Sequence, residues 1–302
     1  MSIYTNAKPE MSKIRDKNNM RISEPVSPKS ANQPTEVEVS LPMLLVIIGA
    51  IGLVGFALFN FFTKGGENPL VKQPPATLGE GLVDVTVSTD YLTIEGKEDA
   101  SYIFVELSDF ECPYCQAFSV GFQGETESTA AKIKKRYFDT GIMKRGYAPY
   151  IAVASHKPAA TNETLGFYCA QEQGKGFAFF DGVFARTGGN GLGIDQKGAE
   201  RGAIISLAKD IGADEEQFTA CYDKRDIVAI DRIQEKIDQE IRTPWGDKFG
   251  SQNFGTPAFA VCKLSADNPT ACVGKAYVGA WPYADMEGVI DTFLGEDAPE
   301  KN

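Results

Sequence analysis

Two cysteines separated by Pro-Tyr stand between a predicted strand and a predicted helix, and this arrangement limits the possible folds more than any other feature. The strand is predicted for Ser101–Leu107, which is mostly apolar, and Cys112 and Cys115 follow it. Pro113 suits the first turn of a helix, where its missing N–H leaves no hydrogen bond unmade. Cys112 is therefore expected at a helix N-terminus, where free N–H groups and the helix dipole favour a thiolate. The spacing predicts a redox-active pair.

A zinc half-site and a static structural disulfide are the two alternatives for this pair. The chain has six cysteines and one histidine. A structural zinc ion needs about four ligands, and the other four cysteines offer no second C-x-x-C spacing. We therefore expect neither a metal ion nor another cofactor.

An uncharged apolar run, Leu41–Phe62, predicts a single transmembrane helix, because its length spans the hydrocarbon core of about 30 Å. A cleaved signal peptide and a buried core helix are the alternatives. The run follows residues 1–40 and ends in two phenylalanines, whereas a signal peptide has a short basic start and a small-residue cleavage site.

The orientation of this span rests on the cysteines more than on the flanking charges. The distribution of Lys and Arg on the two sides of the span favours a cytoplasmic N-terminus only weakly. Disulfide chemistry needs an oxidising compartment, so we expect the C-terminal part outside the cytoplasm or in the periplasm. The net charge of −11 argues against a nucleic-acid partner.

The segments around the span have the composition of unfolded chain. Residues 1–40 are rich in Pro, Ser, Asn and Lys and are expected to form a disordered tail. Residues 63–80 are rich in Gly and Pro and are expected to act as a linker. Folding should begin near residue 81.

The pattern of the folded part predicts an α/β fold that is interrupted by a block of helices. Strands are predicted for 82–88, 101–107 and 147–155, with a helix from the cysteine pair to about Phe138 between the last two. Residues 158–243 show only helical patterns. Two strands, 256–264 and 271–280, and a helix at 282–294 then close the fold.

Thr256-Pro257 at the start of a late strand completes a recognisable pattern, because X–Pro is the peptide bond that readily adopts the cis form. With the segments FVELSDFECPYC, CAQEQGKGFAFFDGVFA, FGTPAFAV and VGAWPYADMEGVIDTFL, the chain resembles the DsbA-like thiol-disulfide oxidoreductases over residues 82–295. The resemblance implies a thioredoxin-like α/β fold at 81–157 and 244–296, with an inserted helical domain at 158–243.

The resemblance also assigns roles to residues. Cys112 matches the nucleophile and Cys115 the buried resolving cysteine. Pro257, preceded by Thr256, matches the cis-proline that packs against the pair. Glu106 matches an acidic residue beneath the site that accepts a proton from the resolving cysteine; the alternative is a strand-end residue facing water.

We expect a membrane-tethered oxidoreductase that exchanges disulfides with exported proteins, chiefly as an oxidase. By analogy with the family, a quinone-linked membrane protein would re-oxidise it. Tyr114 stands where the best-known members have a histidine that stabilises the thiolate, which predicts a less oxidising disulfide. A reductase or isomerase, and a thiol-based metal-delivery module, are the alternatives.

The remaining cysteines are expected to be structural. Cys262 and Cys272 flank a turn between two successive strands and should face each other in a hairpin, which predicts a disulfide. Cys169 and Cys221 fall on two predicted helices and are partners by elimination, and some members of the resembled family carry a bridge in that region. The alternative is four buried thiols.

Three further charged or titratable side chains are expected to take no part in the chemistry of the pair. Asp109 and Glu111 precede Cys112 and are expected to be solvated loop charges. His156 is expected to be structural.

Overall fold

The computed structural model describes residues 81–122, 124–250, 254–268 and 270–300. The predicted tail, membrane helix and linker at 1–40, 41–62 and 63–80 lie outside these residues. Among the helices that the structure describes, none has the length and hydropathy needed to cross a membrane.

A six-stranded sheet organises the described residues, with the strand order β1-β6-β5-β3-β4-β2. Only β3 and β4 run parallel; the other neighbours are antiparallel. The strands are β1 (Val83–Ser88), β2 (Thr93–Glu95), β3 (Tyr102–Ser108), β4 (Met143–Pro149), β5 (Ala258–Leu264) and β6 (Ala271–Val278).

Helices follow β3, separate β4 from β5, and close the chain. The α-helices are α1 (Pro113–Val120), α2 (Thr129–Ile133), α3 (Lys157–Gln171), α4 (Gly176–Arg186), α5 (Arg201–Asp210), α6 (Glu215–Lys224), α7 (Ile227–Ile237), α8 (Thr243–Phe249) and α9 (Tyr283–Leu294). A π-helical turn, Lys134–Phe138, continues α2, and a second one, Asp238–Arg242, joins α7 to α8.

Strand β3 is buried along its whole length because both faces of the sheet are covered. Successive side chains point to opposite faces. Val105 packs in a core with Trp245 of α8, whereas Phe104 packs with Phe118 of α1 in a second core. The fold is thus the thioredoxin-like α/β fold that the sequence predicted, with helices packed on both faces.

Two local predictions are wrong. The helix after the cysteine pair ends at Val120, because Gly121 has φ 102° and cannot continue it. A separate helix, α2, begins after Ser128, whose Oγ accepts a hydrogen bond from the N–H of Ala131. Strand β4 begins at Met143, ahead of the predicted start, because Arg145 is buried within it and hides the apolar pattern.

A disulfide joins Cys169 of α3 to Cys221 of α6, with an S–S distance of 2.01 Å. The two cysteines are 52 residues apart in the sequence. In the chain-entropy model, a cross-link that closes a loop of this length stabilises the folded state by about 4 kcal/mol. The bridge fixes two helices of the region between β4 and β5.

The predicted Cys262–Cys272 disulfide is not formed, and both cysteines are buried free thiols. The hairpin pairs Cys262 with Gly274 and Cys272 with Leu264, so the two cysteines are diagonal neighbours instead of facing each other. Their side chains still contact each other, and burial together with this contact raises the pKa of Cys262 well above its usual range.

Candidate active site

The cysteine pair lies where β3 gives way to α1. Cys112 is the N-cap of α1 in an extended conformation, and Pro113 is the first helical residue. The Cys112 side chain keeps a small exposed fraction of 7%, whereas Cys115, one turn further on, is fully buried. Both are free thiols in this structure. Cys112 is therefore the less deeply buried of the two cysteines.

The two sulfurs are coupled by a hydrogen bond that lowers one pKa and raises the other. The hydrogen bond from Cys115 lowers the pKa of Cys112 to about 6, against the opposing effect of burial. Contact with Thr256 and the backbone N–H groups of Cys115 and Tyr114 lower it further. Burial raises the pKa of Cys115 well above its usual range, and the neighbouring Cys112 raises it more. The proton of the pair therefore stays on Cys115.

The start of β5 brings Thr256 and Pro257 to the pair. The Thr256–Pro257 peptide bond is cis, and the Thr256 carbonyl oxygen lies 3.3 Å from Cys112 Sγ. The Pro257 carbonyl accepts a hydrogen bond from the N–H of Gly279, at 2.8 Å, which ties this turn to the end of β6. Residues far apart in the sequence thus form one wall beside Cys112.

Glu106 of β3 lies beneath the site, and does not face water. It is 2% exposed, and burial raises its pKa to about 7 although the positive charge of Arg145 acts against this. Contact with Ser108 lowers the pKa of both Glu106 and Cys115. Ser108 is therefore a neighbour of both the carboxyl group and the buried sulfur.

A cavity of about 160 Å³ reaches the Glu106 carboxyl group. Arg145 and Asp181 line it and are joined by an ion pair of 3.2 Å. The Arg145 guanidinium also lies 4.4 Å from the ring centre of Phe180. Most of its lining is apolar, but Glu106, Arg145 and Asp181 offer polar partners, and water held by them would give Glu106 a route for exchanging protons.

Asp109 and Glu111 were predicted to be solvated, but both are buried, with exposed fractions of 1% and 0%. Asp109 accepts hydrogen bonds from the backbone N–H groups of Glu111 (2.9 Å) and Ala152 (3.0 Å). Its Oδ2 also lies 3.0 Å from His156 Nδ1. No local pattern signals this burial, since acids in a short loop usually face water.

The predicted site residues thus meet around one turn of backbone. Cys112 and Thr256 keep some exposed surface, Cys115 and Pro257 are buried, and Glu106 lies below the pair. Tyr114 is partly buried and packs against two of the hydrophobic cores. The Cys169–Cys221 disulfide lies within the helical region.

Comparison with known proteins identifies the family. A family model described as Thioredoxin matches residues 88–241, just over half of the chain. The chain belongs to this thioredoxin family. Family membership together with the Cys112–Cys115 pair makes the protein a thiol-disulfide oxidoreductase. Among the curated proteins searched, none matches significantly.

One solved structure with a TM-score of 0.50 shares the fold at low sequence identity, and two further structures are similar to the chain. Wolbachia pipientis alpha-DsbA1 is 16% identical with a TM-score of 0.50, covering 70% of this chain and 94% of its own. Bacillus subtilis BdbD in its oxidised form is 19% identical, with a TM-score of 0.46 and coverages of 68% and 97%. Chlamydia trachomatis DsbA is 17% identical, with a TM-score of 0.45 and coverages of 72% and 95%.

Glu106→Gln should change how stability depends on pH. The folded state raises the pKa of Glu106 from 4.5 to about 7, so the folded protein binds a proton that the unfolded chain has lost. Between these pH values the wild type should lose about 3 kcal/mol of unfolding free energy relative to the variant. Urea denaturation across this range measures the difference.

The matched control is Glu95→Gln, at an exposed position of β2. Its stability should follow the wild-type pH profile. Parallel profiles for wild type and Glu106→Gln would contradict the burial of a titrating carboxyl group at position 106.

Proposed function

We propose that the protein forms disulfides in exported proteins through the Cys112–Cys115 pair. The observation that carries this proposal is the asymmetry of the pair: Cys112 ionises easily and keeps contact with solvent, while Cys115 holds its proton in the interior. Stabilising the thiolate favours the reduced form, which makes the disulfide a stronger oxidant.

The oxidation proceeds in two thiol-disulfide exchanges. A substrate thiolate attacks the Cys112 sulfur, the Cys112–Cys115 bond breaks, and Cys115 leaves with the electron pair and takes up a proton. A second substrate thiolate then attacks the substrate sulfur of the mixed disulfide, and Cys112 leaves as a thiolate. The substrate loses two electrons and gains a disulfide, and the enzyme becomes the dithiol.

Glu106 is the group proposed to move the proton of Cys115. With a pKa of about 7, it is present in both protonation states near neutral pH, which suits a general acid and base. The protonated form donates to Cys115 when that sulfur leaves, and the cavity beside Glu106 supplies the next proton. In the reverse direction the carboxylate accepts the proton.

The substrate is proposed to bind as an extended segment beside Thr256. This residue is only partly buried, and its carbonyl lies next to Cys112. An extended chain that pairs with exposed backbone is held by main-chain hydrogen bonds, largely independent of its sequence. Such binding suits an enzyme that acts on many cysteine-containing proteins.

Membrane attachment through residues 41–62 completes the proposal, with the N-terminus in the cytoplasm and residues 81–300 outside it. The uncharged run supports the span, and the Cys169–Cys221 disulfide fits an oxidising compartment. A quinone-linked membrane protein is proposed as the re-oxidant. Confinement to one membrane would raise the effective concentration of the two proteins.

Substituting each cysteine of the pair should have a different result. Cys112→Ser should slow oxidation of a reduced, unfolded substrate by roughly a thousandfold or more, because the attacked sulfur is gone. Given a substrate that carries a disulfide, Cys115→Ser should accumulate a covalent complex: the Cys112 thiolate attacks that disulfide, one substrate thiolate leaves, and no Cys115 thiol remains to resolve the mixed disulfide, which a reductant then releases. Non-reducing electrophoresis and a refolding assay measure both.

Cys262→Ala is the control, since that buried thiol lies outside the site, and it should retain activity. Turnover by Cys112→Ser would contradict the proposal. The potential of the pair against glutathione tests the direction: a value near −120 mV supports an oxidase, whereas a value near −270 mV indicates a reductase. Tight stoichiometric Cu(I) or Zn(II) binding without turnover would indicate metal delivery instead.

Two arginines in the apolar run should prevent membrane attachment. Val46→Arg with Gly52→Arg adds about 2.5–3.5 kcal/mol for each charge near the middle of the span. The full-length variant should move from the membrane to the soluble fraction, while Gln33→Arg in the tail should stay attached. Digestion of residues 81–300 by protease added to the cytoplasmic side would contradict the proposed orientation.

A further inference from the structure

Two glutamates with no exposed surface meet behind the reactive cysteine. Glu111 directly precedes Cys112, and Glu163 belongs to α3 of the helical region; both have an exposed fraction of 0%. Their carboxyl groups lie within hydrogen-bonding reach of each other. Burying two carboxylates side by side is costly unless the negative charge is compensated.

Three of the four oxygens have a donor from the segment that follows α4, here called the 187–194 segment. Thr187 Oγ1 donates to Glu111 Oε1, and the N–H of Gly193 donates to Glu111 Oε2 at 3.0 Å. The N–H of Ile194 donates to Glu163 Oε1 at 3.0 Å. The pair is therefore the anchor of this segment.

The fourth oxygen, Glu163 Oε2, has no donor among the described residues. The neighbouring side chain of Glu163 is the Glu111 carboxyl group, which is itself an acceptor. Two acceptors can form a hydrogen bond only if one of them carries a proton. A proton on Glu163, donated to Glu111, satisfies the orphan oxygen and removes one buried charge.

The 187–194 segment lies directly against the active-site turn. A Cβ atom added to Gly189 would lie 2.7 Å from the Cα of Pro113 and 3.2 Å from the carbonyl carbon of Cys112. The N–H of Gly189 donates to Thr187 Oγ1 at 3.1 Å, so the same threonine joins this contact to Glu111. Movement of the 187–194 segment would therefore shift the backbone at Cys112 and Pro113.

We propose that Glu111 and Glu163 share one proton and that this carboxyl pair holds the 187–194 segment against Cys112–Pro113, which positions the reactive sulfur. Both glutamates are positioning residues, since neither touches the substrate. This inference rests on the proposed function only where it concerns the reactivity of Cys112. The shared proton and the anchored segment do not depend on that function.

The groups around the pair favour retention of the proton. Burial raises the pKa of Glu163 well above its usual range, and the Glu111 charge raises it further. Asp109 adds a third negative charge nearby, and Tyr222 of α6 is close enough for the Glu163 charge to raise its pKa. Loss of the proton at alkaline pH would place two charges in contact and release the segment.

The experiment compares Glu163→Gln, which keeps a hydrogen-bond donor toward Glu111, with Glu163→Ala, which removes it. Hydrogen exchange of the Gly193 and Ile194 amides should match the wild type in Glu163→Gln. It should be about tenfold faster in Glu163→Ala, which corresponds to about 1.4 kcal/mol of local stability. The pH dependence of Cys112 alkylation should differ from that of the wild type only in Glu163→Ala.

Infrared spectroscopy tests the proton itself, without any need for the alanine variant to fold. At mildly alkaline pH, where Glu106 has lost its proton, the wild type should retain the carbonyl stretching band of a protonated carboxyl group. Glu163→Gln should lack that band. Glu172→Gln, at an exposed position just after α3, is the matched control and should keep it.

Absence of the carboxyl band in the wild type would overturn the shared proton. Unchanged amide exchange and an unchanged Cys112 profile in a folded Glu163→Ala protein would overturn the positioning role. These outcomes can be told apart from failure of the proposed function. The proposed function is tested by substrate turnover in Cys112→Ser, whereas the infrared and exchange measurements need no substrate.

Discussion

The hydrogen bond between the sulfurs of Cys112 and Cys115 is the interaction on which the chemistry depends. It lowers the pKa of Cys112 to about 6 and helps to keep the proton on Cys115. The fold creates this asymmetry: β3 delivers the pair to the start of α1, Pro113 begins the helix, and the helix then carries Cys115 into the core. The reactive sulfur is thereby separated from the one that resolves it by a single helical turn.

The cost of burying acidic side chains around the cysteine pair is offset differently for each of them. Glu106 is compensated by its raised pKa and by Arg145. Asp109 is compensated by backbone donors and His156, and Glu111 by donors from the 187–194 segment. These contacts tie the active-site turn to the sheet on one side and to the helical region on the other. The helical region therefore supports the site as well as covering it.

The sequence predicted β1, β3, β5, β6 and the cysteine pair because local patterns encode them, whereas the place of Thr256 and Pro257 beside the pair was implied by the resemblance to a known family, and the short β2 was missed. Alternating apolar residues mark β1, and the C-x-x-C spacing next to a proline marks the N-terminus of α1. It did not predict the burial of Asp109 and Glu111, because their partners come from segments distant in the chain. The hairpin register that places Cys262 and Cys272 diagonally was also missed, since a diagonal offset leaves the spacing pattern unchanged.

The most direct test of the account is the titration of the Cys112 thiolate by its ultraviolet absorbance in reduced protein, compared with Cys115→Ala. The account predicts ionisation near pH 6 in the wild type and a higher pKa in the variant, because the hydrogen bond from Cys115 is lost. A wild-type value near the ordinary cysteine pKa of about 8.5, or the same value in both proteins, would contradict it.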